Sequence, residues 1–268
     1  MSIAKKLIGE PQITAYARDG AVHIPGLFAE WVDKIAAGIE HNMRAPGPYA
    51  AENVTDSDSG RFFDDYCNWD RIPEFKDIVK HSPAAEAAAR IMRSKSAQFF
   101  HDHVLVKEPG TSKPTPWHQD APYYFVDGRQ TVSFWIPIDP VKDTSLRLIK
   151  ASNLWDKMVL PVRWLNNDNF YPDREAYLPV PDPDQDPYKF ETLEWQMEPG
   201  DAVLFDFRTV HGARANMTDQ RRRALSLRWV GDDAHYVARP GKTSPPYPGH
   251  DMTAGQRLRE DWFPVIWG

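Results

Sequence analysis

The sequence predicts a mainly β fold with flanking α-helices, a double-stranded β-helix or jelly roll. Three observations lead there. Helical periodicity is confined to the first hundred residues, short β-prone runs separated by tight turns fill the stretch from about Ala97 to Val230, and proline is abundant, at 24 of 268 residues. That is close to twice the average usage of about 5% and favours short elements joined by stiff turns over a helical bundle. Many short strands after a helical preface make an antiparallel double sheet with helices on its flank.

In chain order, Phe28, Trp31, Val32, Ile35, Ile39 and Met43 recur at steps of three and four, which predicts an amphipathic helix. Ser82 and Pro83 read as an N-cap and first-turn proline ahead of the alanine-rich AAEAAARIM. Residues 47–70, rich in turn formers and aromatics, are expected to be a loop over something. Strands are predicted at 99–107, 130–139, 145–150, 192–197, 202–207 and 223–230, with turns at Glu108-Pro109-Gly110, Asp127-Gly128 and Glu198-Pro199-Gly200-Asp201. The segment 161–190, with its prolines and acids, reads as a lid or binding loop. No internal repeat or domain-sized linker interrupts the pattern. The expected organisation is therefore one domain over 1–268: a helical part to about 95, a jelly-roll core over about 96–232, and an extension from 233 to 268.

The balance of 38 acidic against 32 basic residues, net -6, argues against a nucleic-acid partner, which needs a basic face. No run approaches the ~18 apolar residues of a membrane span, and the first ten residues carry no signal-peptide core. A lone Cys67 fits a reducing compartment, and with the missing leader it makes a cytoplasmic location the expectation. No P-loop, dinucleotide fingerprint or cysteine-rich zinc spacing is present.

The chemistry lies in PWHQDAPYYF and EPGDAVLFDFRTVHGARAN. On a strand, His118 and Asp120 would leave the same face, giving two legs of a metal site. A second imidazole completes a 2-His-1-carboxylate triad, which holds one face of an octahedral ion and leaves three positions open. His211, 93 residues downstream and after a buried-looking strand, is the candidate. Arg222, in QRRRALSLRW, lies where the chain could return along the neighbouring strand and hold a carboxylate in a bidentate pair. Strand parity puts Arg222, Ala224, Ser226 and Arg228 on one face and Leu225, Leu227 and Trp229 on the other.

These segments, with YARDGAVHIPGLF near the start and SFWIPID in the middle, resemble the phytanoyl-CoA dioxygenase-like (PhyH) family of Fe(II)- and 2-oxoglutarate-dependent oxygenases. The resemblance runs through most of the chain. It implies a cupin-like jelly roll and a dioxygenase that uses Fe(II), 2-oxoglutarate and O2. It assigns His118, Asp120 and His211 to iron and Arg222 to the far carboxylate of 2-oxoglutarate, with Gln119, Trp135 and His103 near that cosubstrate. Halogenating relatives replace the carboxylate ligand with a small residue, so Asp120 implies hydroxylation. The chain departs from the family after SLRLI, where Ala151-Ser152-Asn153 stands in place of a Gly-Ser-His turn.

A small-molecule metabolite is the expected substrate, because the acidic 161–190 segment does not suit the phosphates of an acyl-CoA. Arg61 and Phe63 in the N-terminal loop, Arg228, and the aromatics Trp155, Trp164 and Tyr171 are the candidate substrate contacts. Lys107, at a strand end, reads as solvated, and Cys67 as inert. Two alternatives stand beside the hydroxylase: another metal-dependent cupin-like enzyme that does not use 2-oxoglutarate, and a non-catalytic binding protein on the same fold.

Overall fold

The structure, a computed structural model, describes residues 1–268 except 54–59, 143–145, 165–167 and 173–174. Among the described residues, five α-helices precede most of the strands: α1 (Ile3–Leu7), α2 (Glu10–Asp19), α3 (Val32–Arg44), α4 (Pro73–His81) and α5 (Ala84–Ile91). The strands are β1 (Ala21–Ile24), β2 (Ala51–Glu52), β3 (Phe62–Tyr66), β4 (Ala97–Lys107), β5 (Thr115–His118), β6 (Val126–Asp127), β7 (Thr131–Pro137), β8 (Leu146–Ile149), β9 (Thr192–Leu193), β10 (Ala202–Phe205), β11 (His211–Ala213), β12 (Arg222–Val230), β13 (His235–Tyr236) and β14 (Val265–Trp267). The major sheet runs β1-β10-β7-β12-β4-β3-β2, with β14 also paired to β4, and the minor sheet runs β5-β11-β8-β9. All ladders between these strands are antiparallel. This is the jelly roll that the strand pattern predicts.

The helices cover one face of the major sheet. Ile35 and Ile39 of α3, Phe75 and Ile78 of α4 and the alanines of α5 share a core with Phe99, Leu225, Leu227 and Trp229. Each such large side chain contributes about 1.5–3 kcal/mol when fully buried. The other face of β12 carries Arg222, Ser226 and Arg228, which line cavities between the sheets. A register shift between Arg228 and Trp229 pairs them with His101 and Phe99, leaving Phe100 as an extra residue on β4. That bulge lets Phe99 face the helices while His101 and His103 face the interior.

Several elements differ from expectation. The 47–70 segment contains β2 and β3, and β3 pairs with β4 as part of the major sheet. The strand expected over 192–197 shrinks to two residues, and the N-cap of α5 is Pro83, with Ser82 Oγ accepting from the Ala84 amide at 3.3 Å. Of the run expected at 145–150, Ser145 lies outside the described residues, as does Asp173 of the proposed lid. No described helix is long and apolar enough to cross a membrane.

Candidate metal centre and active-site cavities

β5 and β11 are antiparallel neighbours in which His118 and His211 are direct partners, with ring centroids 4.2 Å apart. Each ring is oriented from behind by a backbone carbonyl that can only accept: His118 Nδ1 donates to Pro116 O at 2.7 Å and His211 Nδ1 to Thr209 O at 2.9 Å. The hydrogen is thereby fixed on Nδ1, and both Nε2 lone pairs point to the same place. Asp120 Oδ1 lies 3.9 Å from each Nε2. The three ligand atoms all fall within 4.8 Å of one another, and the three residues are buried. Two imidazoles and one carboxylate, with no hydrogen between them, form a donor set that fits a divalent transition metal.

Asp120 arrives differently from the strand alternation expected of an HxD pair. The chain leaves β5 at His118, and Asp120, at φ -70° and ψ -42°, begins a 3-10 turn over Ala121–Tyr123. The Ala121 amide donates to Phe207 O, and Arg239 donates to the carbonyls of Ala121, Tyr124 and Val126, which anchors that turn. Ser133 donates to Asp120 Oδ2 at 2.7 Å, and Arg228 Nε lies 3.6 Å from the same oxygen. One carboxylate oxygen is therefore engaged by protein donors and the other is left for a metal.

The electrostatics agree with this division. Burial pushes the His118 imidazole down to about 3, with His211 adding to the shift, and burial also lowers His211. Burial works against the Asp120 carboxylate, but the Arg228 guanidinium and the Ser133 hydroxyl hold it well below the usual range. Two neutral imidazoles and one anion result, the protonation state that metal binding requires.

The turn before His211 is braced by residues whose role was not apparent in the sequence. Ser152 Oγ accepts from the Val210 amide at 2.8 Å, and Thr209 donates to Gly20 O at 2.7 Å. Gly20 has φ +82°, and a Cβ there would lie 2.6 Å from Thr209 Oγ1. The Ala151-Ser152-Asn153 departure thus keeps the serine that props the metal-side turn, while Ala151 takes the left-handed conformation at φ 59°.

Two cavities meet at the histidines. The smaller, about 30 Å³, passes between Trp135, Phe205, His118, His211 and Arg222. Arg222 belongs to the major sheet and His211 to the minor one, so they are not on neighbouring strands as expected but face each other across the sandwich. Burial pushes the Arg222 guanidinium down to about 10, and its carbon lies 5.9 Å from the Trp135 ring centre. Lys107 is the cross-strand partner of Arg222. The expectation of a solvated lysine is wrong: Lys107 is fully buried, donates to Lys113 O and Arg214 O, and sits 4.4 Å over Phe62. Burial, with Arg222 nearby, lowers it to about 6.

The larger cavity, about 410 Å³, is walled by Tyr49, Tyr66, Tyr123, Tyr124, Trp164 and Phe170 and reaches His103, His118, Asp120 and Arg228. Trp164, from the proline-rich segment, packs 5.1 Å from the His118 ring. Trp155 packs on Phe190 instead, and Tyr171 on Phe170 and Tyr177, so neither lines this cavity. The described acids of that segment, Asp168, Glu175, Asp182, Asp184 and Asp186, face solvent, and Asp184 pairs with Arg147.

Three expected contacts need correction. Gln119 points away from both cavities: its carbonyl accepts from the Val159 amide at 2.7 Å and its amide donates to Arg208 O, so it braces two loops. Arg61 is exposed and pairs with Glu52, and Phe63 is buried among the helices. The choice of Phe63 missed by one residue. On β3 the parity that reaches the interior is Phe62, Asp64 and Tyr66, and Asp64 and Tyr66 line the larger cavity. The FFDDY alternation was the available signal. Arg228 does line that cavity, donating through Nε to Tyr124 Oη at 3.0 Å.

Known proteins share this architecture. Residues 16–224 match the phytanoyl-CoA dioxygenase (PhyH) family. A probable phytanoyl-CoA dioxygenase of Caenorhabditis elegans is 26% identical over 190 residues, 67% of this chain and 54% of that protein; the chain thus spans about half the length of this relative. Among solved structures, the α-ketoglutarate-dependent carbocyclase SnoK of nogalamycin biosynthesis superposes with a TM-score of 0.75 at 22% identity, covering 98% of both chains. The epimerase SnoN, solved with Fe3+, α-ketoglutarate and nogalamycin RO, gives 0.75 at 21% identity over 96% of this chain and 98% of its own. EctD from S. alaskensis, solved with 2-oxoglutarate and 5-hydroxyectoine, gives 0.66 at 18% identity over 94% and 86%. With more than three quarters of its length inside the match, the chain belongs to the phytanoyl-CoA dioxygenase family of Fe(II)- and 2-oxoglutarate-dependent oxygenases.

Proposed function

We propose that the chain is a hydroxylase of a small molecule, with His118, Asp120 and His211 holding Fe(II) and Arg222 holding the distal carboxylate of 2-oxoglutarate. The observation that carries this reading is the buried cluster of two Nε2 atoms and one carboxylate oxygen, facing a buried guanidinium across a narrow cleft. When bound, the iron supplies activation of O2, coupled to conversion of 2-oxoglutarate to succinate and CO2. The protein's part is orientation and exclusion. Ser133 and Arg228 keep one oxygen of Asp120 occupied, so the carboxylate would hold the metal through the other. Arg222 offers a planar fork that matches a carboxylate, over the floor made by Trp135. Trp164 roofs the metal side of the larger cavity and limits water at the site where substrate would sit.

Relatives on this fold are a carbocyclase and an epimerase as well as EctD, which was solved with a hydroxylated compound. One fold thus carries more than one outcome at the metal, and the fold alone does not set the reaction. Hydroxylation is the reading favoured by an intact Asp120. The test is anaerobic reconstitution with Fe(II), followed by addition of 2-oxoglutarate. A new metal-to-ligand charge-transfer band, then O2-dependent succinate release, is expected; stoichiometric iron uptake with no band would overturn the 2-oxoglutarate assignment. Mass spectrometry of the product, showing a gain of one oxygen rather than loss of two hydrogens or an unchanged mass, separates hydroxylation from cyclisation and epimerisation.

A further inference from the structure

Asp64 of β3 and His103 of β4 form a dyad in the wall of the larger cavity. Asp64 Oδ2 accepts from His103 Nε2 at 2.9 Å, and Asp64 Oδ1 accepts from Asn53 Nδ2. A carboxylate oxygen can only accept, so the hydrogen of the neutral ring is on Nε2 and the lone pair is on Nδ1. Nδ1 makes no hydrogen bond to any described residue, yet it is not among the sealed-off polar atoms, as His101 Nε2 is; it retains surface in the cavity. The ring itself is fixed, nearly parallel to Trp164 at 6.2 Å and edge-on to Tyr66 at 5.5 Å. In its neutral form the ring is thus a rigid acceptor, with no donor among the described residues, and it stands beside the metal ligand His118, which contacts the same tryptophan.

Most of the remaining charges of the cavity have partners within the protein, although Arg228 Nη1 is buried with none among the described residues. Asp120 and Arg228 face each other at 3.6 Å, Asp64 is occupied by His103 and Asn53, and Arg163 lies over the Phe170 ring at 5.3 Å. A carboxylate or phosphate ligand would meet a lone pair at His103, and a cationic ligand would meet two guanidiniums. Aromatic walls suit the apolar faces of a ring.

We propose that the Asp64–His103 dyad accepts a hydrogen bond from a substrate hydroxyl, and that the substrate is a neutral, hydroxyl-bearing ring compound. This rests on the larger cavity being the substrate chamber of the proposed oxygenase. It also revises the expectation of a cosubstrate contact at His103, since a 2-oxoglutarate carboxylate has no hydrogen to give.

The test is calorimetric titration of the full chain, both metal-free and loaded anaerobically with Fe(II) and 2-oxoglutarate. Three probes are used: phenyl β-D-glucopyranoside, its tetra-O-methyl ether, and phenyl β-D-glucuronide. The glucoside is expected to bind about fivefold or more tightly than either of the others, the margin of one net hydrogen bond. His103→Phe, which keeps an aromatic ring against Trp164, is expected to remove that margin without changing affinity for the ether, and His103→Gln to restore part of it. In wild-type protein labelled with 15N-histidine, the glucoside and not the ether should move the unprotonated Nδ1 resonance upfield, a readout that needs no variant to fold. The proposal is overturned if the glucoside fails to bind, if it binds no better than the ether or the glucuronide, or if its affinity ignores His103→Phe. A glucoside preference without a 2-oxoglutarate charge-transfer band would sink the oxygenase reading and keep the dyad. A band without the preference would do the reverse.

Discussion

His118 and His211 stand directly opposite each other across β5 and β11, although 93 residues separate them in the chain. The cross-strand pairing fixes their separation, and the carbonyls of Pro116 and Thr209 fix which nitrogen each presents. Asp120 is the third donor but is held by a turn and by Ser133 instead of a strand. Asp120→Ala removes the anionic ligand and is expected to weaken Fe(II) affinity by more than about 100-fold. Ser133→Ala removes only the donor behind it and is expected to cost about tenfold, within the range for outer partners of metal ligands. Competition against a chelator of known affinity measures both. Equal affinities for the two variants would contradict the assignment of Asp120 as ligand.

Arg222 lies on the sheet opposite His211, at the far end of the narrow cleft. Arg222→Ala is expected to weaken 2-oxoglutarate binding by about 100-fold, as removal of a buried charge partner should. Fe(II) affinity should stay within about threefold of wild type, because Arg222 is not a donor to the metal ligands. Arg222→Lys keeps the charge but loses the planar fork, and should fall between the two. Titration of the charge-transfer band with 2-oxoglutarate gives the affinity, and the chelator competition gives the iron term.

The sequence made the jelly roll legible because four of its interior strands, β4, β7, β10 and β12, are β-prone runs bounded by proline and glycine turns. The helix-facing parity of β12 was equally plain from Leu225, Leu227 and Trp229. The candidate metal residues could be picked out because HxD and a distant HG are local patterns; the fold brings their ligand atoms within 4.8 Å of one another, Asp120 by a turn and not by the expected strand. What escaped depends on tertiary pairing. β3 lies in a stretch dense in turn formers and becomes a strand only because β4 offers it an edge, so Asp64 and Tyr66 were missed and Phe63 was chosen from the wrong parity. Lys107 has the sequence context of a strand end; its burial comes from Phe62 and the carbonyls of residues 113 and 214, which no local pattern reveals.

Lys107 gives the stability a particular pH dependence. Burial lowers its folded pKa to about 6, against about 10.4 in an unfolded chain. Between those values the unfolded state binds the extra proton, so this lysine makes stability rise with pH across that window and weaken as pH falls from 10.4 to 6. Lys107→Met is expected to flatten that slope and to gain most over wild type, relative to its own value at pH 10, near pH 6–7. Urea unfolding midpoints of the metal-free protein at pH 6.5, 8 and 9.5 test it. Parallel lines for wild type and variant would show that Lys107 stays charged in the folded state.

Trp164 joins the proline-rich segment to the metal centre: its ring lies 5.1 Å from His118 and 6.2 Å from His103, and it borders both cavities. It donates nothing to a metal, so Trp164→Ala should leave Fe(II) affinity within about threefold of wild type. What it should change is exclusion. With the indole gone, water gains access to the face of the site that the larger cavity otherwise shields, and 2-oxoglutarate turnover no longer depends on substrate to dry that face. Succinate release without added substrate is therefore expected to rise severalfold in Trp164→Ala, and Trp164→Phe, which keeps a flat ring over His118, should rise less. A loss of 2-oxoglutarate turnover in both variants, at unchanged iron content, would instead assign Trp164 to cosubstrate binding. The two outcomes separate a roof from a floor.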